Sequence, residues 1–260
     1  MRLTATAGGE NPSIGGRASG MGSASLTLID AFAAHNNQAA IGFIDQITFG
    51  LYSERRFLLD DIDYVSGSVL VPTGTGTFGL NVSYFGFELY NEKKVGLAFG
   101  KAFGEKFSAG LQFDYIGLQI AEYGSRSAYT FEAGLLYKVS DQLYMAAHIY
   151  NPMRIQIEDF QEETLPTIMK FGLSYRPSEK VIFAVETEKD IDFLPRFKAG
   201  IDYNVLQNFY LRAGFNTQPA TYSFGMGLRL KNLDIDIASN VHPVLGLTPQ
   251  LSVIYALEKK

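Results

Sequence analysis

Hydrophobic and polar residues alternate along most of the chain, in segments of about ten residues that start near residue 46. A period of two places successive side chains on opposite faces of a β-strand. The pattern predicts fourteen strands, at residues 46–57, 61–72, 76–90, 93–103, 106–121, 127–139, 142–151, 165–176, 179–188, 194–203, 207–216, 220–231, 232–241 and 246–257. An even number of strands in one meander is what a closed up-and-down antiparallel barrel needs.

The two faces of these strands differ in chemistry. In the twelfth strand, Phe224, Met226 and Leu228 lie on one face, whereas Gly225 and Arg229 lie on the other. Alternation alone does not say which face is the lumen. A barrel of this width cannot fill its interior with side chains, so an apolar lumen would leave a large dry void. We therefore predict an all-β transmembrane barrel with its apolar face toward lipid and its polar face inside.

Pairing in the hairpins tests this assignment, because directly opposite residues of antiparallel strands point to the same face. With tight turns, three hairpins pair apolar residues outside: Leu228 with Ile235, Leu173 with Phe183, and Leu135 with Met145. The same registers pair polar residues inside: Arg229 with Asp234, Lys170 with Glu186, and Glu132 with His148. These pairs support the predicted sidedness.

The inward face carries a set of titratable residues predicted to line the lumen: Asp114, Glu132, His148, Lys170, Glu186, Lys198, Asp202, Arg212, Arg229, Asp234 and Asp236. Two interpretations stay open at this point. The residues line a polar pathway, or they pair with one another and with the N-terminal segment, because a charge in a crowded interior needs a partner.

The connections between the predicted strands alternate in length. Those that follow even-numbered strands are short, as at residues 231–232, whereas the longer ones at residues 152–165, 189–193 and 241–246 follow odd-numbered strands. Short inner turns and longer outer loops are typical of bacterial outer-membrane barrels. The pattern therefore favours the outer membrane of a Gram-negative bacterium.

Composition agrees with an all-β chain and excludes several classes of function. The chain of 260 residues holds 26 Gly, 20 Phe and 15 Tyr but no Trp and no Cys. Aromatic residues favour strands, and the lack of cysteine excludes disulfides and thiolate chemistry. A net charge of −5 without a basic stripe argues against nucleic-acid binding. Because residues 1–12 lack the apolar core of a signal peptide, we expect a mature form.

Three motifs are candidates for a catalytic or cofactor site. Residues 74–79 read GTGTFG and match a dinucleotide-binding fingerprint, but an alternating strand follows instead of a helix. Histidines 35, 148 and 242 lack metal-ligand spacing. Glu132 beside His148 resembles the pair in outer-membrane hydrolases in which a carboxylate orients a histidine general base. No nucleophile motif accompanies the two residues. We predict no cofactor, no metal and no enzymatic activity.

The segment at residues 15–42 differs from the rest of the chain, because it is rich in glycine and other small residues. We predict that residues 1–45 form a plug inside a barrel made of residues 46–260. Asn36, Asn37 and Gln38 are its polar cluster. They either contact the lumenal charges or cap the end of a short helix.

This segment resembles the plug of FadL-like outer-membrane proteins and their PorV and PorQ relatives. That family has an Ala-Arg-Ala-x-Gly-Met-Gly-Gly stretch, a short acidic and alanine-rich helix, and Asn-Pro-Ala-Gly-Leu before the first strand. The matching residues here are Gly16, Arg17, Ala18, Gly20, Met21, Gly22, Asp30 to Ala34, Asn37, Ala39 and Ile41. Gln38 stands where the family has Pro, and Ala40 where it has Gly.

The resemblance implies a fourteen-stranded barrel through which small hydrophobic molecules pass, with the plug as gate. The gate residues that it implies are Arg17, Gly20, Met21, Gly22, Asp30, Asn36, Asn37 and Gln38. The implied partners are membrane lipids and a hydrophobic small molecule. An alternative is a PorV-like accessory subunit that engages the translocon of a type IX secretion machinery, and a minor alternative is an outer-membrane hydrolase.

Overall fold

A closed barrel of fourteen antiparallel strands forms most of the protein. The computed structural model describes residues 11–60, 62–122, 124–155 and 165–258. The strands are β1 (Thr48–Arg55), β2 (Asp63–Pro72), β3 (Thr77–Gly86), β4 (Tyr90–Phe103), β5 (Phe107–Ile120), β6 (Gly124–Lys138), β7 (Leu143–Tyr150), β8 (Ile168–Ser178), β9 (Val181–Asp190), β10 (Arg196–Leu206), β11 (Phe209–Thr217), β12 (Ala220–Leu230), β13 (Leu233–His242) and β14 (Gly246–Ala256). Each strand pairs with its neighbours in sequence, and β1 pairs with β14. The predicted strand number, order and closure are confirmed.

The alternation of the sequence appears directly as alternation of burial. In β5, Phe113 is 54% exposed on the outer surface, whereas the next residue, Asp114, is completely buried. The same contrast separates Leu211 from Arg212 in β11. The apolar face is therefore the outer face of the barrel, and the polar face points inward.

Residues 14–44, which we call the N-terminal segment, form short turns and helices that touch the inward face of the barrel. Helix α1 spans Gly16–Gly20, helix α2 spans Ala33–Asn36, and a 3₁₀ turn covers Ala40–Phe43. The predicted helix at residues 30–34 thus begins later, at Ala33. Helix α1 contacts β11 to β14, while the 3₁₀ turn contacts β3 to β6. None of the helices among the described residues has the length and apolar character required to cross a membrane.

The two ends of the barrel differ in their connections. At one end, which we call the turn end, the strands are joined by short turns such as residues 179–180, 207–208 and 231–232. At the opposite end, which we call the loop end, the longer connections include residues 191–195. Parts of the predicted plug (residues 1–10) and of the predicted loop at 152–165 (residues 156–164) lie outside the described residues.

Two of the three predicted registers are wrong by two residues. The β12–β13 hairpin pairs Arg229 with Asp234 as predicted. In the β8–β9 hairpin, Leu173 faces Val185 instead of Phe183, because the turn lies at residues 179–180 and the register shifts between Tyr175 and Ser178. A two-residue shift changes the partner but keeps every side chain on its face.

The β6–β7 hairpin shows the same error. Its turn is longer than predicted, with the Val139 amide donating to the Leu143 carbonyl at 2.9 Å. Leu135 therefore faces Ala147 instead of Met145. The polar partners change as well: Glu132 faces Tyr150, and His148 faces Gly134. Across β8 and β9, Lys170 faces Glu188, not Glu186.

Introduced cysteines will test the β8–β9 register, since the chain has no cysteine of its own. We expect a disulfide between Leu173→Cys and Val185→Cys, which are directly opposite. The matched pair Leu173→Cys and Phe183→Cys should not cross-link, because diagonal Cα atoms lie about 7–8 Å apart and a disulfide needs less than about 7 Å. Gel mobility with and without reductant measures the outcome. Cross-linking of the second pair alone would contradict the observed register.

Candidate functional site in the barrel interior

A central cluster of charged residues lies where β4 to β7 face the N-terminal segment. Lys94 of β4 makes an ion pair with Glu132 and lies 3.6 Å from Asp114. Glu132 also accepts a hydrogen bond from the Gln38 side chain at 2.8 Å and lies 2.8 Å from Nε2 of His148. All of these groups are buried or nearly so. One carboxylate therefore joins two strands of the wall to the N-terminal segment.

A second cluster occupies the inward faces of β8 to β10. Lys198 contacts Glu186 at 2.9 Å and Glu188 at 2.7 Å, and Lys170 lies 3.7 Å from Glu188. The other oxygen of Glu186 accepts hydrogen bonds from the backbone amides of Ser25 and Leu26, at 3.0 and 3.1 Å. The wall thus pairs with one oxygen of Glu186, and backbone amides of the segment pair with the other.

A third cluster links β10, β11 and β13 to helix α1. The Arg212 guanidinium donates to Asp202 at 3.0 Å and to Asp236 at 2.7 Å. Arg17 of helix α1 donates to the other oxygen of Asp202 at 2.8 Å. Two carboxylates and two arginines therefore form one chain of charge-assisted hydrogen bonds, the stronger class of hydrogen bond.

The backbone of the segment comes close to glycines on the inward strands. A Cβ on Gly200 would overlap the Met21 carbonyl, and a Cβ on Gly214 would overlap the Gly22 amide. Gly22 has φ +66°, a left-handed conformation that glycine adopts without strain. Gly20 packs against Gly225 of β12. The predicted gate residues 20–22 thus sit where segment and wall approach each other closely.

The polar cluster of the segment contacts both the wall and the end of helix α2, where the Gln38 side chain donates to the Ala34 carbonyl at 2.9 Å. Both arrangements that the sequence left open therefore occur. Asn37 donates to the Leu135 carbonyl of the wall at 3.3 Å, and Gln38 reaches Glu132 as described. Asn36, by contrast, pairs through both side-chain atoms with the backbone of Ile14. Asp30 accepts from the Phe32 amide at 2.9 Å and organises the turn before helix α2.

Arg229 and Asp234 lie apart from the three clusters. They pair at 3.0 Å next to the turn between β12 and β13, where both side chains are partly exposed. Their attraction is screened by water, so it contributes little to stability. The other predicted lumen-lining residues are buried.

The histidines show no arrangement for catalysis or metal binding. Nε2 of His148 faces Glu132, and its Nδ1 has no hydrogen-bond partner, so no hydroxyl nucleophile sits on the imidazole. Burial and, to a smaller extent, the nearby Lys94 charge lower the pKa of His35 to about 3. His35 is therefore neutral at pH 7 and lies 2.8 Å from the Ser66 hydroxyl. Within the described residues, no three His, Asp or Glu side chains gather around a possible metal position.

Sequence reasoning missed two members of these clusters, Lys94 and Glu188. In β4, Lys94 shares the inward face with Gly96, whereas Val95 and Leu97 point outward. The alternation of the predicted strand at residues 93–103 is therefore sufficient to place Lys94 on the inward face. Glu188 was missed because the two-residue error in register assigned its partner, Lys170, to Glu186.

A cavity of about 520 Å³ opens at the loop end of the barrel, above the N-terminal segment. Its walls combine charged residues with two aromatic side chains. The lining includes Ser19, Glu54, Arg56, Phe57, Phe193 and Arg196. A volume of this size is within the range of small-molecule sites, so the cavity offers an entrance that ends on the segment.

Loss of the Glu132 charge should destabilise the protein strongly. We expect Glu132→Gln to lower the free energy of unfolding by about 3 to 5 kcal/mol, because it removes one partner of a buried ion pair. Asp234→Asn is the matched control and should cost at most about 1 kcal/mol, because its pair is partly exposed. Urea unfolding in detergent, followed by heat-modifiable gel mobility, measures both. Equal stability of the two variants would show that the central cluster is not a structural anchor.

The chain was compared with known proteins at three levels. No family model and no curated protein matches it. Solved structures do: the monoaromatic hydrocarbon channel TodX, as a deltaS2 mutant, has a TM-score of 0.78 and 11% identity, over 96% of this chain and 100% of that one.

Two further solved structures give the same result. The toluene transporter TodX of Pseudomonas putida has a TM-score of 0.68 and 12% identity, over 94% of this chain and 98% of that one. A FadL homologue of Pseudomonas aeruginosa has a TM-score of 0.65 and 13% identity, over 95% and 99%. At such low identity the likeness shows the fold alone, and it confirms the FadL-like fold that the N-terminal residues had indicated.

Proposed function

We propose that this protein is a channel of the Gram-negative outer membrane, through which small hydrophobic molecules move passively. Residues 1–45 are the plug and residues 46–260 the barrel. The plug gates the channel, and the buried residues of the three charge clusters hold it against the wall. No enzymatic step and no cofactor take part.

The observation that carries this proposal is the position of the N-terminal segment. It contacts inward-facing groups on strands all around the barrel, from Ser68 of β2 to Ser252 of β14. A solute that enters the cavity at the loop end meets this segment before it can go further. Passage therefore requires a shift of the segment relative to the wall.

The chemistry of the contacts is compatible with such a shift. The segment is held on the wall by ion pairs and hydrogen bonds, such as Arg17 to Asp202 and Gln38 to Glu132. Water or a neighbouring polar group can replace contacts of this kind, so their net free energy is modest. The class of solute is suggested by proteins of the same fold, which are described as a toluene transporter and as monoaromatic hydrocarbon channels.

The outer surface supports the membrane location. Its large apolar residues remain exposed along the strands, for example Leu51, Leu97 and Leu111. A continuous exposed apolar surface is unfavourable in water and is typical of contact with a membrane or a partner. Membrane lipids are therefore the first partner of the barrel.

A second candidate is the accessory role, in which the barrel is a PorV-like subunit that binds a type IX secretion translocon. The close approach of the segment to Gly200 and Gly214 favours this role, because it leaves little room for movement. Apolar side chains also project from the loop end, where Leu194 is 73% and Val244 is 85% exposed. In this role the segment stays fixed and keeps the lumen closed, and the loop end binds the translocon.

A reversible cross-link between segment and wall separates the two candidates. A Cβ on Gly79 would lie 3.4 Å from the Cβ of Ala34, close to the spacing of a disulfide. We expect the oxidised Ala34→Cys, Gly79→Cys variant to lose toluene uptake in Gram-negative host cells, and reductant to restore it. Ala34→Cys alone is the control and should transport normally. Undiminished uptake by the fully cross-linked protein would rule out gating by the segment. Uptake by the wild type no greater than that of host cells without the protein would favour the accessory role.

If the barrel lies in a membrane, a charged residue introduced on its outer face should destabilise the protein more at mid-depth than near the membrane surface. Leu211 lies on the outer face of β11, and we expect Leu211→Arg to cost about 2 to 4 kcal/mol in lipid. Leu194→Arg, in the connection between β9 and β10, should cost about 0 to 1 kcal/mol. Unfolding from lipid vesicles in urea measures both values. If Leu211→Arg gave a stable protein that is soluble without detergent, the membrane location would be wrong.

A further inference from the structure

Two inward-facing cations at the turn end make no ion pair with a carboxylate in the described part of the chain. Lys94, Lys198 and Arg212 each have a carboxylate oxygen within hydrogen-bond or ion-pair distance. Among the described residues, no ion pair involves Lys138 of β6 or Arg176 of β8, although both side chains are partly buried. In a barrel whose other buried cations are paired, this unpaired positive charge needs an explanation.

The two cations lie around one aromatic ring. Lys138 is directly opposite Tyr144 across β6 and β7, and Tyr144 is directly opposite Ser174 across β7 and β8. The Arg176 guanidinium carbon is 3.8 Å from the Tyr144 ring centroid, and the Lys138 ammonium is 5.8 Å from the same centroid. The Lys138 ammonium also lies 3.6 Å from the ring centroid of Phe43. Four neighbouring inward side chains, Lys138, Tyr144, Ser174 and Arg176, thus form what we call the turn-end cation site.

The aromatic rings do not satisfy the hydrogen-bond donors of this site. Nε of Arg176 and the Ser174 hydroxyl are buried and have no hydrogen-bond partner among residues 11–60, 62–122, 124–155 and 165–258. Arg176 donates through Nη2 to the Thr27 carbonyl at 3.3 Å. A ring face attracts a cation, but it leaves the N–H groups without a good acceptor and does not remove the repulsion between two like charges.

We propose that the turn-end cation site binds a small oxyanion, a phosphate or a carboxylate. Such an anion supplies both missing elements, because it carries compensating negative charge and several acceptor oxygens. Arg176 binds it through its fork of N–H groups and Lys138 as a point charge, which is how these side chains bind phosphate and carboxylate groups. The Tyr144 and Ser174 hydroxyls lie on the same row as further donors. Because the site is at the turn end, the anion arrives from the side opposite the cavity at the loop end.

The proposal is independent of transport. Both cations also touch the N-terminal segment, Arg176 at Thr27 and Lys138 at Phe43. The anion therefore binds where wall and segment meet, yet its binding requires neither a hydrophobic solute nor movement of the segment. A failure of the gating experiment leaves this site unaffected.

Isothermal titration calorimetry on the full chain in detergent tests the site, with inorganic pyrophosphate in one arm and citrate in the other. We expect saturable binding of at least one anion at one site per barrel, and the arm that binds identifies phosphate or carboxylate. Lys138→Gln and Arg176→Gln should each weaken binding by about tenfold or more, because each removes a charge-assisted hydrogen bond. Lys180→Gln, an exposed cation in the turn between β8 and β9, is the matched control and should bind like the wild type.

Heat-modifiable gel mobility confirms that each variant is folded before titration. If a glutamine variant does not fold, Arg176→Lys replaces it; this variant keeps the charge but loses the fork, so it should bind more weakly than the wild type. Absence of saturable binding in both arms would overturn the proposal. An equal loss in Lys180→Gln would also overturn it, since the anion would then respond to the general charge of the turn end.

Discussion

Buried carboxylates on the inward face hold the strands of the barrel and the N-terminal segment in one arrangement. Glu186 gives one oxygen to Lys198 of the neighbouring strand and the other to two backbone amides of the segment. Glu132 and Asp202 divide their oxygens between wall and segment in the same way. A buried charge needs compensation, and in these three places a cation of the wall supplies part of it while donors of the segment supply further hydrogen bonds. The segment is thus part of the electrostatic balance of the interior.

Shape imposes the second constraint on the interior. Where the inward strands carry glycine, at positions such as Gly110, Gly200 and Gly214, the backbone of the segment takes the space of the missing side chains. Where they carry charged residues, the segment offers backbone amides, Arg17 or Gln38. The N-terminal segment is therefore complementary to the inward face of the barrel in both shape and polarity, although the two are far apart in sequence.

The features predictable from the sequence are those that depend on a period of two. Strand number and the division of each strand into two faces follow from alternation, and a register error of two residues leaves them unchanged. The identity of the inward face follows from the width of a fourteen-stranded barrel, which side chains cannot fill. The partners of individual side chains were not predictable, because turn length and the irregularity after Tyr175 decide them. Glu132 and His148 are nevertheless 2.8 Å apart, since their side chains meet across a diagonal of the sheet. Contacts of the segment, such as Gln38 to Glu132, depend on three-dimensional placement that no local pattern records.

The connection between the two ends of the chain has a consequence for how the protein assembles. The Gly16 amide donates to the Ser252 hydroxyl, although 236 positions separate them, and β14 also closes the barrel against β1. The backbone of the segment fits too closely against Gly200 and Gly214 to be threaded through a finished ring of strands. Closure of the wall is therefore coupled to placement of the segment. A ring that closed between β1 and β14 without the segment inside would leave Glu186 and Asp202 without the donors that Ser25, Leu26 and Arg17 supply.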